Sequence, residues 1–145
     1  MKIELENISD YKCDESGLIS VADYALSIMQ VHPDCELNIR LVTEPEITEL
    51  HIKWMDLPGP TDVLSFPMDE VKPNSKSNGP GIVGDIVLCP AFAERNEKQS
   101  LTKELELLTV HGVLHLLGFD HAEAKEEESM FKLQDELLEK WRATR

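Results

Sequence analysis

The sequence predicts an α/β fold in which a small mixed sheet of about four strands packs with about five helices. Strand-like and helix-like patterns alternate over residues 1–54, two short apolar strands follow, and the rest of the chain is helical. This order of elements is typical of an α/β domain. A length of 145 residues suits one domain with a real core, so residues 1–145 are predicted to form a single domain.

The first half of the chain predicts two strands, each followed by a helix. Apolar and polar residues alternate in MKIELEN, as in an opening strand, and apolar residues at helical spacing predict a helix over residues 15–30. A Pro-Asp pair then breaks the chain, and CELNIRLVT predicts the second strand. A helix is expected from residue 43 or 44 to about Trp54, with Pro45 at a tolerated first-turn position.

The second half predicts a pair of strands and then three helices. DLPGPTD is a turn and VLSFP a short strand. The segment KPNSKSNGPG, residues 72–81, resembles a flexible loop that connects antiparallel strands, because the apolar strand GIVGDIVLCP follows it. Helices are predicted at about residues 90–98, 101–117 and 123–141.

Composition and cysteine usage predict a cytoplasmic globular protein. Hydrophobic residues make up 41% and charged residues 29% of the chain, as in soluble domains. The start has no apolar run of the signal-peptide kind, and no stretch is apolar enough to span a bilayer. Cys13, Cys35 and Cys89 are odd in number and widely separated, which suits reduced thiols. Cys89 ends the apolar run IVLC and is predicted to be a core residue rather than a nucleophile.

The segment HGVLHLLGFDH, residues 111–121, contains three of the five histidines. His111 and His115 are four residues apart and share one face of the predicted helix. Gly118 lies where a helix commonly ends in a left-handed residue, and the reversal can return His121 to the other two. Three converging imidazoles predict one zinc ion per chain, on a helix-turn, with a fourth position open to water. The alternative is a set of histidines with no common purpose.

Gly112, directly after the first histidine, bears on the reaction class. The spacing of the three histidines is that of the metzincin proteases, which have a glutamate as general base at this position. Without that carboxylate, the site is predicted to be hydrolytic but not proteolytic. Glycine inside a helix costs about 1 kcal/mol relative to alanine. It indicates either that a ligand passes close to the backbone or that the helix packs tightly against a neighbouring strand.

Together with PTDVLSFP (60–67) and GDIVLC (84–89), the histidine segment resembles the YbeY family of bacterial endoribonucleases, which act in ribosomal RNA maturation. The resemblance covers essentially the whole chain. It implies that His111, His115 and His121 bind zinc. It also implies cleavage of single-stranded RNA, processing of the 3′ end of 16S rRNA and a part in ribosome quality control.

One position departs from the family pattern. The family often has an arginine, implicated in RNA cleavage, a few residues before its PTDVLSF-like segment. The corresponding residue here is Met55, in LHIKWMDLPGPTDV. Lys53 and Arg40 remain as candidate partners for phosphate groups.

Four further residues are candidates for the substrate cleft. Thr61, Asp62 and Ser65 belong to the segment that resembles the family's cleft wall. Turn chemistry after a proline is the alternative explanation for the first two. Asp85, which follows a glycine, is either a turn residue or a support for the site.

Asp120, beside the last histidine, has two interpretations. As a catalytic residue, it would orient a histidine ligand or take a proton during hydrolysis. As a structural residue, it forms a capping pattern with Glu123 before the final helix. We favour the capping interpretation.

The net charge of −14 constrains how the protein meets RNA. Most of its surface repels phosphates, so sequence-independent binding should be weak and sensitive to salt. Either a local basic cleft binds the RNA, or a basic protein partner delivers it. Ribosomal proteins or a ribosomal subunit would suit an acidic surface, whereas neither DNA nor a membrane is expected as a partner.

The resulting hypothesis is a zinc-dependent endoribonuclease that acts on single-stranded ribosomal RNA. The attacking group is either a metal-activated water or the 2′-hydroxyl of the RNA, and the sequence leaves both routes open. Two rival hypotheses are another metal-dependent hydrolase, such as a peptidase, and a non-catalytic ribosome-assembly factor whose zinc is structural. Structural zinc usually has four protein ligands, which disfavours the second rival.

Overall fold

The computed structural model describes residues 1–95, 98–120 and 122–145, which form a four-stranded sheet and five α-helices. No helix in these ranges is long and apolar enough to cross a membrane. A single 3₁₀ turn, Lys76–Asn78, lies in the predicted loop over residues 72–81. In chain order, the elements are β1 (Lys2–Asn7), α1 (Glu15–Ile28), β2 (Glu36–Leu41), α2 (Glu44–Met55), β3 (Val63–Pro67), β4 (Ile82–Leu88), α3 (Pro90–Ala93), α4 (Leu101–Leu116) and α5 (Ala124–Ala143).

The sheet is mixed, as the sequence predicts. Its strand order is β1-β2-β4-β3. Strand β2 runs parallel to both β1 and β4, whereas β3 pairs antiparallel with β4. The α/β class and the antiparallel relation of the two strands around residues 72–81 are therefore confirmed. Strand β3 forms one edge of the sheet, which becomes important at the functional site.

The main core lies on one face of the sheet. Helix α4 contacts β3 and β4 and also packs against α1 and α5. Ile39 of β2 and Ile86 of β4 point into this core and are almost completely buried. Side chains alternate along a strand, so the neighbours of these isoleucines point to the opposite face of the sheet, here called the second face. Three of those neighbours are polar. They are Asn38, Arg40 and Asp85, all partly exposed.

A smaller core covers part of the second face. Ile47 of α2 packs there with Leu64 of β3, Val87 of β4 and the buried thiol of Cys89. Removal from water raises the pKa of the Cys89 thiol above its ordinary value. The prediction of Cys89 as a core residue is confirmed.

The helix predicted at about residues 90–98 is shorter than expected. Helix α3 ends at Ala93, and the next two residues form a turn in which the Arg95 N–H bonds to the Phe92 carbonyl oxygen, 3.1 Å away. The side chains of Glu94 and Arg95 contact Tyr11 and Glu44, respectively. Both contacts join this turn to parts of the fold that are distant in sequence. Residues 96 and 97 of the predicted helix lie outside the described residues.

Candidate active site

The C-terminus of α4 forms the base of the site. Gly118 has φ of +98°, in the left-handed region, so the predicted glycine stop is confirmed. The Gly118 N–H donates to the His115 carbonyl oxygen and the Phe119 N–H to that of Leu114, both at 3.0 Å. This pair of bonds is a Schellman motif, which closes the helix and reverses the chain. His121, expected beyond the reversal, lies outside the described residues, so its part in a ligand set stays a prediction.

His111 and His115 present their Nε2 atoms to each other at the end of α4. The two atoms are 3.0 Å apart, and the rings meet at 78°. Zinc–nitrogen bonds are about 2.0–2.1 Å long, so two nitrogen ligands of a tetrahedral zinc lie about 3.3 Å apart. The two imidazoles therefore fit a shared zinc ion with little movement. The C-terminal end of a helix also favours a cation through its partial negative charge.

The described residues alone do not complete a metal site. Over residues 1–95, 98–120 and 122–145, no three His, Cys, Asp or Glu side chains are grouped so that they could hold a metal ion. Two of the three predicted ligands lie in these ranges.

Gln134, which the sequence analysis did not single out, orients His111. Its side chain is 6% exposed, and its Oε1 accepts a hydrogen bond from His111 Nδ1 at 2.9 Å. An imidazole that donates from Nδ1 has a lone pair free on Nε2 when it is neutral. The sequence signal is a polar residue on the buried stripe of α5, among Met130, Leu137, Leu138 and Trp141.

The two histidines open into a cavity of about 490 Å³. Strand β3 and the end of α2 form one wall, and the α4 terminus forms the other. The cavity therefore brings Ser65 and Asp120, two of the predicted site residues, together with the histidines. Its lining comprises Met55, Val63, Leu64, Ser65, Pro67, His111, His115, Gly118, Phe119 and Asp120.

The favoured capping interpretation of Asp120 is wrong. Helix α5 begins at Ala124, its N-cap residue is Glu123, and no side-chain hydrogen bond caps it. Asp120 is therefore three residues before the N-cap position and faces the histidine cavity instead. Its position leaves the catalytic interpretation as a proposal.

The packing of α4 on β4 decides between the two interpretations of Gly112. A Cβ atom at this position would lie 3.0–3.1 Å from three side-chain carbons of Ile86, which is fully buried. The glycine therefore allows tight packing of the helix on the strand. A protease-like glutamate at this position would press on Ile86, which would have to shift.

Met55, the departure from the family pattern, lines the histidine cavity and is 41% exposed. The other two candidate phosphate partners do not line it. Lys53 lies on exposed α2 with its Nζ 5.2 Å from the centre of the Trp54 ring. Arg40 lies on the second face of the sheet and lines a neighbouring groove with Trp54.

The remaining cleft candidates lie outside the histidine cavity. Thr61 Oγ1 donates to Asp62 Oδ1 at 3.5 Å, and the Asp62 carbonyl oxygen accepts from the Cys89 N–H at 2.9 Å. Both residues thus lie directly before β3, where Asp62 contacts the segment that follows β4. Asp85 lies on the second face of the sheet, where its Oδ1 accepts from Asn38 Nδ2 at 3.1 Å. Of the cleft-wall candidates, only Ser65 faces the histidines.

The chain is similar to known proteins along nearly its whole length. The sequence profile described as "Endoribonuclease YbeY" matches residues 4–142. A Mycolicibacterium smegmatis protein named endoribonuclease YbeY is 54% identical, over 97% of this chain and 83% of its own length. A Rhodococcus erythropolis protein of the same name is 55% identical, over 97% of this chain and 82% of its own length.

The fold is also similar to a solved structure. A Thermotoga maritima protein, known from its solution structure, superposes with a TM-score of 0.60 at 28% identity. The match covers 99% of this chain and 93% of the other. Together with the profile match over nearly the whole sequence, these similarities show that the chain belongs to the YbeY endoribonuclease family.

Proposed function

We propose that this protein is a zinc-dependent endoribonuclease that cleaves single-stranded RNA during ribosomal RNA maturation. Its relatives are named endoribonucleases, which supports an RNA-cleaving hydrolase. The observation that carries the proposal is the pair of Nε2 atoms, 3.0 Å apart, at an open cavity of about 490 Å³. Processing of the 3′ end of 16S rRNA, ribosome quality control and a cytoplasmic location belong to the same proposal.

In this proposal His111, His115 and His121 hold one zinc ion. When bound, the zinc would supply a Lewis acid beside the scissile phosphate. Gln134 keeps the Nε2 lone pair of His111 directed at the site. Asp120 and Ser65, which line the same cavity, are the candidates to accept a proton and to position the phosphate, respectively. The attacking group is either water or the 2′-hydroxyl of the RNA, and the termini of the products distinguish the two.

The net charge of −14 supports delivery of the RNA by a basic partner. Free RNA is repelled by most of an acidic surface, whereas ribosomal proteins are attracted to it. We therefore propose that the substrate is presented on a ribosomal subunit.

The proposal is tested by the cleavage of short RNA oligonucleotides. Purified protein should cut a single-stranded oligonucleotide but not its duplex, lose activity in a chelator and regain it with zinc. His115→Ala should abolish cleavage and reduce the zinc content well below one per chain. His32→Ala is the matched control, because His32 Nδ1 only accepts from the Asp34 N–H in a remote loop.

The products also distinguish the chemical routes and the rival functions. A 2′,3′-cyclic phosphate would indicate attack by the 2′-hydroxyl, whereas a 5′-phosphate together with a free 3′-hydroxyl would indicate attack by water. Stoichiometric zinc without cleavage of any RNA would favour a non-catalytic assembly factor. Unchanged zinc content in His115→Ala would contradict the proposed ligand set. A peptidase is disfavoured because Ile86 occupies the space beside Gly112.

A further inference from the structure

A second cavity lies beside the histidine cavity, on the opposite face of the sheet. This groove, here called the α2 groove, runs between α2 and the strands β3 and β4 and has a volume of about 460 Å³. That size is within the range of small-molecule sites, about 300–1,000 Å³. Its walls are apolar, formed mainly by Leu50, Trp54, Phe66 and Met68.

The α2 groove is continuous with the histidine cavity around the edge of the sheet. Met55, Ser65 and Pro67 line both. Two of these residues belong to β3, the edge strand, so the two cavities meet across that edge. The shared lining gives a single strand bound at the histidines a route around β3 into the α2 groove.

Trp54 gives the groove an exposed aromatic surface. It is 60% exposed, and its ring meets that of Phe66 edge-on, with the centroids 6.5 Å apart. Met55 and Met68, which line the same groove, are exposed as well, and a contiguous exposed apolar patch commonly marks an interaction site. Proteins that bind single-stranded RNA commonly stack bases on such aromatic side chains. Lys53, whose Nζ lies 5.2 Å from the same ring, adds a cation beside it.

The polar end of the groove suits the edge of a base better than a bare phosphate. Arg40 offers donors there, and Asp85 offers acceptors. A phosphate carries only acceptors and would be repelled by the carboxylate. Base edges carry both acceptors and donors. None of the ion pairs between described residues involves Arg40.

We propose that the α2 groove is a nucleobase-binding subsite, in which a base adjoining the cleaved phosphate stacks on Trp54. The inference rests on the proposed function for the identity of the ligand, single-stranded RNA. The base enters around β3, while Met55, Ser65 and Pro67 form the passage between the two cavities. Trp54 contributes affinity without a phosphate contact, which suits a chain with 28 acidic and 14 basic residues.

The two tryptophans of the chain allow a direct test. Trp141 is 2% exposed, with its Nε1–H donating to Ser20 Oγ at 3.0 Å, so only Trp54 can contact RNA. Chelator-treated protein is titrated with a single-stranded oligonucleotide, and the tryptophan emission is recorded. Saturable quenching is expected in the native protein and in Trp141→Phe, and it should be absent in Trp54→Leu.

Binding of a fluorescein-labelled oligonucleotide, measured by anisotropy, gives the energetic test. Trp54→Leu should raise the Kd about 5- to 150-fold, as expected for the loss of one stacked base. Trp54→Phe, which keeps an aromatic face, should stay within about threefold of the native protein. Ile52→Ala is the matched control, because Ile52 is also exposed on α2 but does not line the groove.

A scan of abasic nucleotides along the same oligonucleotide completes the test. One abasic position beside the cleaved bond should weaken binding to the native protein but not weaken Trp54→Leu further. An unchanged Kd in Trp54→Leu would overturn the inference and leave the groove to a protein partner. An equal loss in Ile52→Ala would overturn it as well, by indicating a non-specific apolar surface.

The outcome is independent of the histidine site. If His115→Ala retains zinc and cleavage, the proposed active site fails, yet the quenching and the abasic effect still report on the groove. If cleavage depends on the histidines but Trp54→Leu binds RNA like the native protein, the groove inference alone fails.

Discussion

Replacing Gln134 with leucine should weaken zinc binding although Gln134 is not a ligand. Leucine has a similar volume but cannot accept the hydrogen bond from His111 Nδ1. Loss of this acceptor removes a bond that favours the tautomer of His111 protonated at Nδ1 and orients its ring, so the Nε2 lone pair is held less firmly toward His115. Groups that orient a ligand histidine in this way typically contribute 10- to 100-fold to metal affinity, which corresponds to about 1.4–2.7 kcal/mol.

The structure supports an effect in the upper part of that range. The Gln134 side chain is 6% exposed, and the hydrogen bond is 2.9 Å long. Water therefore has little access to replace the lost amide. Depriving a buried donor of its partner costs about 1–3 kcal/mol, which is similar in size to the expected loss of zinc affinity.

The assay is a competition between the protein and a zinc chelator of known affinity. Side-chain ¹⁵N NMR of the metal-free protein reports the tautomer of His111 independently of activity. In the native protein, His111 should be protonated at Nδ1. In Gln134→Leu, it should be a mixture of the two tautomers. Gln134→Glu keeps an acceptor and should retain zinc affinity. Leu137→Ala, a buried truncation on the same helix, should lower the free energy of unfolding by about 2–5 kcal/mol without changing the His111 tautomer.

Two results would refute this reasoning. Native zinc affinity in Gln134→Leu would show that the hydrogen bond does not control the ligand. Equal loss of zinc affinity in Leu137→Ala would show that the effect follows global stability rather than the orientation of His111.

Three further predictions concern other parts of the molecule. Gly112→Ala should lower the free energy of unfolding, measured in urea, by up to about 2 kcal/mol, because crowding of Ile86 outweighs the gain of about 1 kcal/mol in helix propensity. A more stable variant would show that the isoleucine moves aside. Met55→Arg should add one phosphate contact, which increases RNA cleavage at low salt and steepens the dependence of log Kd on log salt by about 0.7. Because Met55 is exposed, the melting temperature should not change. An unchanged salt slope would mean that position 55 contacts no phosphate. Of the three thiols, only the partly exposed Cys13 should react with a disulfide reagent in the folded protein. Because burial raises the pKa of the Cys13 thiol, the rate of this reaction should keep increasing at pH values above the ordinary cysteine range. Labelling of either buried cysteine before unfolding would contradict this prediction.

Periodicity predicted most of the fold because the signals are local. Helix α1 begins at Glu15 as predicted, and the side chain of Asp14 caps it by accepting from the Gly17 N–H. The length of α3 was overestimated: the helix ends at Ala93, and the next two residues, Glu94 and Arg95, contact residues that are distant in sequence. Such contacts depend on the assembled fold and leave no periodic pattern in the sequence.

The site was predictable where spacing along one helix determines geometry. His111 and His115 were predictable as neighbours because they are about one helical turn apart. The helix end at Gly118 was predictable because the left-handed φ found there favours glycine. Gln134 and Trp54 were missed, since each acts by contacting an element far away in sequence. A polar residue on the buried stripe of α5 and an exposed tryptophan on α2 are the signals that would have identified them.

The proposed zinc site and base subsite would together account for the acidic charge and the departure at position 55. A nuclease that relied on lysine and arginine contacts would need a basic cleft, yet the cavity around His111 and His115 has a methionine in its wall. In the proposed site, a zinc ion at the negative end of α4 would supply the local positive charge that the chain lacks. Stacking on Trp54 would add affinity that salt does not screen. The proposed subsite would also select unpaired strands, because a base within a duplex cannot enter the α2 groove without losing its pairing partner.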